Sequence, residues 1–469
     1  MVHPFIPNTK ETREQMLREI GLSDVGELFK DIPQEVRLKK KLNLPLAMSE
    51  LEVANHVRIL LSKNKPFTKM PSFLGGGVWP HYVPAHVRQI VKRSEFLTSY
   101  TPYQPETSQG MLQALFEYQS LIAELVGLDV ANASMYDWAT SLGEAALMCA
   151  RVTGRSRFIV PKIIAKDRLS VLTNYTAGPS LEIMEVGYNT ESGQVDLNQL
   201  DQMVDKNTAG VYVENPSYLG FIETQVEEIA EVAHKNGALF VVGVNPISLG
   251  LLKAPGDYGA DIVIGEGQPL GNPVSFGGPT LGIFACRGEQ RLLRQLPGRL
   301  IGMTKTVEGG ARGFTMVLQT REQHIRREKA TSNICSNEAL CAVAAAVYLA
   351  TLGPKGLRQL AEVCASNASY LMKRLGGIDG LKVPIFKSPH FNEFTIQCAV
   401  GSVVQLNVEL LKRGIQGGKP LSREFPELGE SALICTTELH SKKNLDDFAE
   451  AVREIMGEKN ELSPSSLGL

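Results

Sequence analysis

Long apolar runs are missing from this chain: no stretch of about 18 uninterrupted apolar residues occurs, the length a membrane span would need. Met1-Val2-His3-Pro4-Phe5 carries no basic segment leading into an apolar one. Neither a membrane span nor a secretory leader is expected, and a cytoplasmic location is. An excess of one charge is missing as well. Lys and Arg number 48 against 50 Asp and Glu, a formal net charge of -2. That balance favours neither a nucleic-acid surface nor a highly charged disordered chain, and leaves small-molecule chemistry or protein assembly. Paired cysteines are absent too. The seven present, Cys149, Cys286, Cys335, Cys341, Cys364, Cys398 and Cys435, lack the short spacings of a zinc site or a redox dithiol. Reduced thiols in apolar surroundings are expected. Lone histidines such as His81, His234 and His390 form no ligand pattern, so no metal is assigned. No internal repeat is visible.

What is present is enough apolar sequence, 43% over 469 residues, for a large domain plus a smaller one. Residues 1–70 read as a helical arm: Asn8-Thr9 precedes a helix from Lys10 to Ile20, Ser23-Asp24 starts a short one toward Phe29, and Ser49 caps one running to Lys63. Residues 71–336 read as a large α/β domain. Its first helices span Ala85 to Lys92 and Gly110 to Val126, the latter closed by Gly127. Strands at Arg157–Val160, Leu181–Val186, Gly210–Val213, Leu239–Val242 and Asp261–Ile264 alternate with helical stretches such as Gln225 to Asn236. That spacing predicts a mostly parallel sheet with right-handed crossovers. Residues 337–469 read as a smaller α/β domain, with strands at Glu393–Cys398 and Ala432–Cys435 and a closing helix from Leu445 to Met456; the tail from Glu461 to Leu469 is expected to fray.

Three segments offer chemistry. The first, Arg93 to Gly110, holds Tyr100, Tyr103, Gln104 and Glu106 among prolines that prevent an ordinary helix. Its tyrosine hydroxyls could reach a small polar substrate, or its rings could pack beneath the following helix. The second, Gln319 to Ile334, has charges of both signs at i, i+4 spacing and predicts a solvent-exposed helix. It ends at Thr331-Ser332-Asn333 before a new helix, where short polar side chains and free N–H groups would make an anion cradle. The third, Ala139 to Ala146, opens a helix with hydroxyls and places Glu144 in the first turn, where a plain cap is the simpler role. Gly75-Gly76-Gly77 lacks the lysine and hydroxyl of a phosphate loop.

Between Gly237 and Pro279 the chain has the layout of a pyridoxal-phosphate (PLP) enzyme, with a pyridine-binding Asp on one strand and a Schiff-base Lys after the next. Val242 stands where the carboxylate is expected, and Gln268-Pro269 where the lysine is. Phe73 to Tyr82, Glu95-Phe96 through Glu106 to Gly110, and Gln319 to Cys335 closely resemble the P-protein family of the glycine cleavage system, and in particular its alpha-chain form. The resemblance covers nearly the whole chain, from Phe5 to Glu438.

It implies an aspartate aminotransferase-like (fold type I PLP-dependent transferase) large domain with a smaller C-terminal α/β domain. It also implies glycine decarboxylation by an alpha2beta2 complex with a homologous beta subunit, which holds the PLP on its own lysine and passes the aminomethyl group to the lipoyl arm of H-protein. No PLP would be covalently bound to this chain, which lacks both anchoring groups. Tyr100, Tyr103, Gln104 and Glu106 would then contact substrate or cofactor in the partner's site, and Thr331, Ser332 and Asn333 the phosphate. A purely structural subunit is the alternative. A self-sufficient enzyme using Lys253 or Lys305 is a third reading, disfavoured because neither lysine follows the strand Asp261–Ile264.

Overall fold

A computed structural model describes residue 5 and residues 7–461; the tail 462–469 lies outside the described residues. Two compact units divide the chain, residues 1–65 and 66–469.

The first unit contains helices Lys10–Glu19 and Glu50–Leu61 and a 3-10 turn, Val25–Phe29. Ser49 and Glu52 cap the second helix reciprocally, each accepting from the other's backbone N–H. Most of this unit's apolar side chains are exposed, among them Leu38, Leu44, Leu51 and Ile59.

The second unit is built on a seven-stranded sheet. Its strands are β1 (Val130–Ala131), β2 (Arg157–Pro161), β3 (Glu182–Val186), β4 (Thr208–Glu214), β5 (Leu239–Val244), β6 (Ile262–Glu266) and β7 (Gly282–Cys286), in the spatial order β1-β7-β6-β5-β4-β2-β3. The five strands β2 to β6 run parallel, as predicted, and β7 is antiparallel to both β6 and β1. β5 is buried along its whole length, and its side chains alternate between two cores. Phe240, Val242 and Val244 enter the one shared with Tyr118, Ile122 and Ala345, while Leu239 and Val241 enter the one shared with Trp138, Leu142 and Leu172. A hairpin of β8 (Leu300–Lys305) and β9 (Arg312–Val317) stands apart from the sheet.

A second, four-stranded antiparallel sheet is formed by β10 (Leu381–Lys382), β11 (Glu393–Cys398), β12 (Lys419–Pro420) and β13 (Ser431–Cys435). The helices Val403–Lys412 and Lys442–Glu461 cover it. The helix Ala339–Leu375, kinked at Gly353, serves both sheets: Ala342 to Cys364 pack in the large core, Ala368 to Leu375 in the small one. By length and composition alone it could cross a membrane, but 44% of its most apolar window is buried within the protein.

Candidate functional site

The strands β4, β5 and β6 end at a cleft between the two sheets, the crevice where ligands bind in open α/β folds. Trp138 opens the helix Trp138–Thr153, whose first turn is fixed by Asp137 accepting from Thr140 N at 2.7 Å. Arg168 lies near the start of the helix Lys166–Ala177. Its guanidinium carbon sits 3.6 Å from the centroid of the Trp138 ring, and its Nη1 donates to Glu214 Oε2 at 2.6 Å. Trp138 Nε1 donates to Tyr212 Oη at 2.9 Å, and Tyr212 Oη donates to Glu214 Oε1 at 3.0 Å. The four side chains close on one another and are all buried. Burial alone would pull the Arg168 guanidinium down, but the Glu214 carboxylate more than offsets it and holds the cation above its ordinary range.

Val242 holds no carboxylate, and its side chain does not line the cleft. Strand alternation turns Val242 to the opposite face, into the core with Phe240 and Val244. The cleft-facing position is Gly243. A Cβ there would come within 2.5 Å of Tyr212 Oη and 2.6 Å of Trp138 Cζ2, so no side chain fits. Gln268 and Pro269 are buried. Gln268 Oε1 accepts from Trp79 N at 3.2 Å and its Nε2 donates to Asn272 O at 2.6 Å, so it fastens one loop to another. Just before it, Glu266 accepts from Gln268 N at 2.9 Å and Leu281 N at 2.7 Å; burial pushes its carboxyl up to about 7. Across the cleft, Glu393 accepts from Gly76 N at 2.6 Å and is likewise pushed up to about 7 by burial. A side chain on Gly75 would run into Glu393, so the glycine loop is a close-packed seam between the sheets. The space left among Trp79, Trp138, Arg168, Ser217 and Asn245 is about 10 Å³, room for about one water. This cleft does not fit PLP: no lysine lines it, its Glu214 carboxylate is already paired with Arg168, and it has no volume for a ring.

The other predicted residues gather at an edge. Arg299, itself buried, donates from Nη1 to Thr101 Oγ1 at 3.2 Å and Ser336 Oγ at 3.2 Å, and from Nη2 to Tyr103 Oη at 3.2 Å and Cys335 O at 2.8 Å. It therefore ties the tyrosine loop to the segment after Asn333. Tyr100 is 78% and Tyr103 47% exposed, and Gln104 and Glu106 are exposed beside them. Tyr103 also meets His324 edge-on, with centroids 5.8 Å apart. Thr331 N donates to Arg321 O at 3.1 Å, Ser332 Oγ donates to Glu144 Oε1 at 2.6 Å, and Asn333 is exposed.

Three expectations need correction. Residues 319–334 are not one helix. Leu318 and Arg327 adopt positive φ (54° and 53°), and between them only short turns and the four-residue helix Gln323–Arg326 form. The cause is Arg321, which turns inward and donates to Leu318 O at 3.1 Å and Gly298 O at 3.3 Å. Nor do Thr331, Ser332 and Asn333 sit at a helix start, since the next helix begins at Ala339 and Ser336 and Asn337 are turned toward Arg299. Glu144 lies in the second turn of its helix, buried, with its carboxyl pushed up by burial rather than used as a cap. The unpatterned His81 also gains partners: its Nδ1 lies 2.7 Å from Glu438 Oε2, which also accepts from Cys364 Sγ at 3.7 Å, and the three ligand atoms lie within 4.8 Å of one another. Burial raises the Glu438 carboxyl, but His81 and the Tyr82 N–H outweigh it and the net shift is downward. Five cysteines are buried, whereas Cys335 is exposed.

A glycine cleavage system P-protein model matches residues 3–452. The chain belongs to that family. Relatives in the P-protein family include the probable glycine dehydrogenase (decarboxylating) subunit 1 of Thermococcus kodakarensis, 54% identical over 97% of this chain and 98% of that protein. The protein of the same description from Carboxydothermus hydrogenoformans is 49% identical over 96% of this chain and 99% of its own length. Among solved structures, glycine decarboxylase (P-protein) of the glycine cleavage system, in inhibitor-bound form, superposes with a TM-score of 0.85 at 42% identity, over 97% of this chain and 100% of that one. Lactobacillus brevis glutamate decarboxylase, 13% identical with a TM-score of 0.67 over 94% of this chain and 98% of that one, shares the fold alone. The large domain is thus the fold type I architecture that the resemblance implied.

The residues that sequence reasoning missed are Arg168, Glu214, Gly243, Arg299 and Glu393. Glu214 left a signal: a lone charge closing the otherwise apolar strand Gly210-Val211-Tyr212-Val213.

Proposed function

We propose that this chain is subunit 1, the alpha chain, of a glycine dehydrogenase (decarboxylating), working in an alpha2beta2 complex with a homologous PLP-bearing beta subunit. That complex would decarboxylate glycine and pass the aminomethyl group to the lipoyl arm of H-protein; the bound PLP would supply the electron sink for the decarboxylation. The observation that carries the reading is the cleft. Gly243 offers no carboxylate, Gln268-Pro269 offer no amine, and Arg168 lies over the Trp138 ring in a cleft with room for about one water. Lys253 and Lys305 are no substitutes. Lys253 Nζ pairs with Glu227 at 2.7 Å outside the cleft, and Lys305 lies on the outer half of β8.

The chain's contribution would then come from its edge. Arg299 holds the tyrosine loop and the segment after Asn333 in one arrangement, from which exposed Tyr100, Tyr103, Gln104 and Glu106 would reach substrate or cofactor in the partner's site. Thr331, Ser332 and Asn333 would present hydroxyl and amide groups for the phosphate.

The test is the visible absorbance of lysine-bound PLP, measured for this chain alone and with its partner, followed by borohydride trapping and peptide mapping. The label is expected on the partner alone. A stable lysine-bound PLP on this chain would overturn the assignment. Tyr100→Phe and Thr331→Ala, assayed in the complex, test the edge; unchanged glycine and PLP affinities in both would leave a structural subunit instead.

A further inference from the structure

Three features of the cleft belong together. Gly243, the position at the end of β5 that faces it, is held to glycine by the Tyr212 hydroxyl and the Trp138 ring. The Arg168 guanidinium lies 3.6 Å from the Trp138 ring centroid, a flat cation on an aromatic face. Glu214 meets that cation at 2.6 Å and is itself tied back to Trp138 through Tyr212, so the charge is closed within the group. A pyridinium ring stacked on an aromatic side chain and paired with a carboxylate has the same three elements: a plane, a positive charge and an anionic partner.

We propose that Arg168 is a built-in occupant of this cleft, its guanidinium standing where a fold of this class would receive a planar cationic ring, so that removing the side chain uncovers a binding site for free planar monocations. The proposal rests on the reading that this chain holds no PLP, and it adds what holds the cleft closed: a side chain of the chain itself rather than collapse of the walls. An ordinary buried ion pair would need only the charge. A ring surrogate needs the plane as well, because stacking on Trp138 requires a flat group while Glu214 alone would accept any cation.

The chain supplies its own probe. It has two tryptophans, Trp79 and Trp138, and both line this cleft with ring centroids 6.4 Å apart, so intrinsic tryptophan emission reports on the cleft and little else. The experiment uses the full chain carrying Arg168→Ala, titrated with N-ethylguanidinium and, separately, with ethylammonium. The expected result is a saturable return of emission toward that of the unsubstituted chain with a rise in Tm, at concentrations at least about tenfold lower for N-ethylguanidinium than for ethylammonium. No saturable response, or equal response to the two cations, would overturn the proposal. Should Arg168→Ala not fold, Arg168→Lys decides. It keeps the charge without the plane and is expected to shift the emission; emission unchanged from the parent chain would overturn the proposal. Titrating the unsubstituted chain with PLP separates the two levels. Saturable quenching there would overturn the reading that this chain holds no cofactor, whereas failed rescue of Arg168→Ala would overturn the occupant alone.

Discussion

Two arginines organise the two polar regions of this chain, and they do so in opposite ways. Arg168 is paired with a carboxylate, stacked on an indole and shut inside the cleft. Arg299 is as well buried, but its hydrogen-bond partners are hydroxyls, an amide oxygen and a carbonyl, drawn from two chain segments whose outer side chains face solvent. The first arrangement leaves nothing to bind with. The second leaves a positive charge with no carboxylate hydrogen-bonded to it among the described residues, directly beneath the exposed Tyr103. A polar cluster that satisfies itself is architecture, while one that holds loops by neutral groups keeps its charge available to a neighbour.

Substitutions can break this contrast. The largest effect is expected from Glu214→Ala, which strands a buried cation and should cost about 3–5 kcal/mol of unfolding free energy in urea titrations. A loss under about 1 kcal/mol would mean that the cleft admits water and is not closed. Arg299→Ala should cost less, about 2–3 kcal/mol, because neutral partners left behind can be rehydrated at the edge. Limited proteolysis should then cut near residues 99–108 and 327–335. Gly243→Ala, which pushes a methyl against Tyr212 and Trp138, should cost about 1–3 kcal/mol, with a shift in tryptophan emission that Arg299→Ala does not produce.

A pH series sharpens the same contrast. Glu266 and Glu393 have ordinary values of 4.5 and are raised to about 7 by burial, so their neutral forms are the ones that folding favours. Between those values the folded state binds more protons than the unfolded one. The stability they contribute is therefore full below about pH 4.5, declines as pH rises to about 7 and is flat above it. Urea midpoints taken across that window should fall, and should fall less in Glu393→Gln. The smallest effect on folding is expected from Tyr100→Ala, within about 0.5 kcal/mol, since the ring is exposed. Its effect should surface in the complex instead, as weaker glycine or PLP binding.

Much of this was legible in the sequence. The parallel strands announced themselves as short apolar runs, and the first three helical elements by their caps at Thr9, Asp24 and Ser49. The facing of β5 was not legible, because a strand buried on both sides is apolar at every position and carries no period of two. The sequence alone therefore does not tell that Gly243, and not Val242, faces the cleft. The segment 319–334 misled for the opposite reason. Its charges repeat at helical spacing, but Arg321 turns inward and the backbone leaves the helical region at Arg327. Arg168 was hidden within the ordinary-looking helix opening Lys166-Asp167-Arg168, since a charge on a short amphipathic helix reads as solvated. β7 and the β8–β9 hairpin escaped because glycine-rich connections separate β7 from β6 and β8 from β9, and the other partner of β7, β1, lies far off in sequence.

The long helix Ala339–Leu375 passes from the large core at Cys364 to the small core at Ala368 within about one turn. Its kink at Gly353 falls earlier, where both flanking segments still pack on the large core. No glycine or proline softens the crossing itself. The two sheets are therefore mounted on a common strut, and changing the angle between them would require breaking helical hydrogen bonds rather than flexing a loop. A chain built this way can act as a stator, a fixed frame against which the moving parts of an assembly do their work.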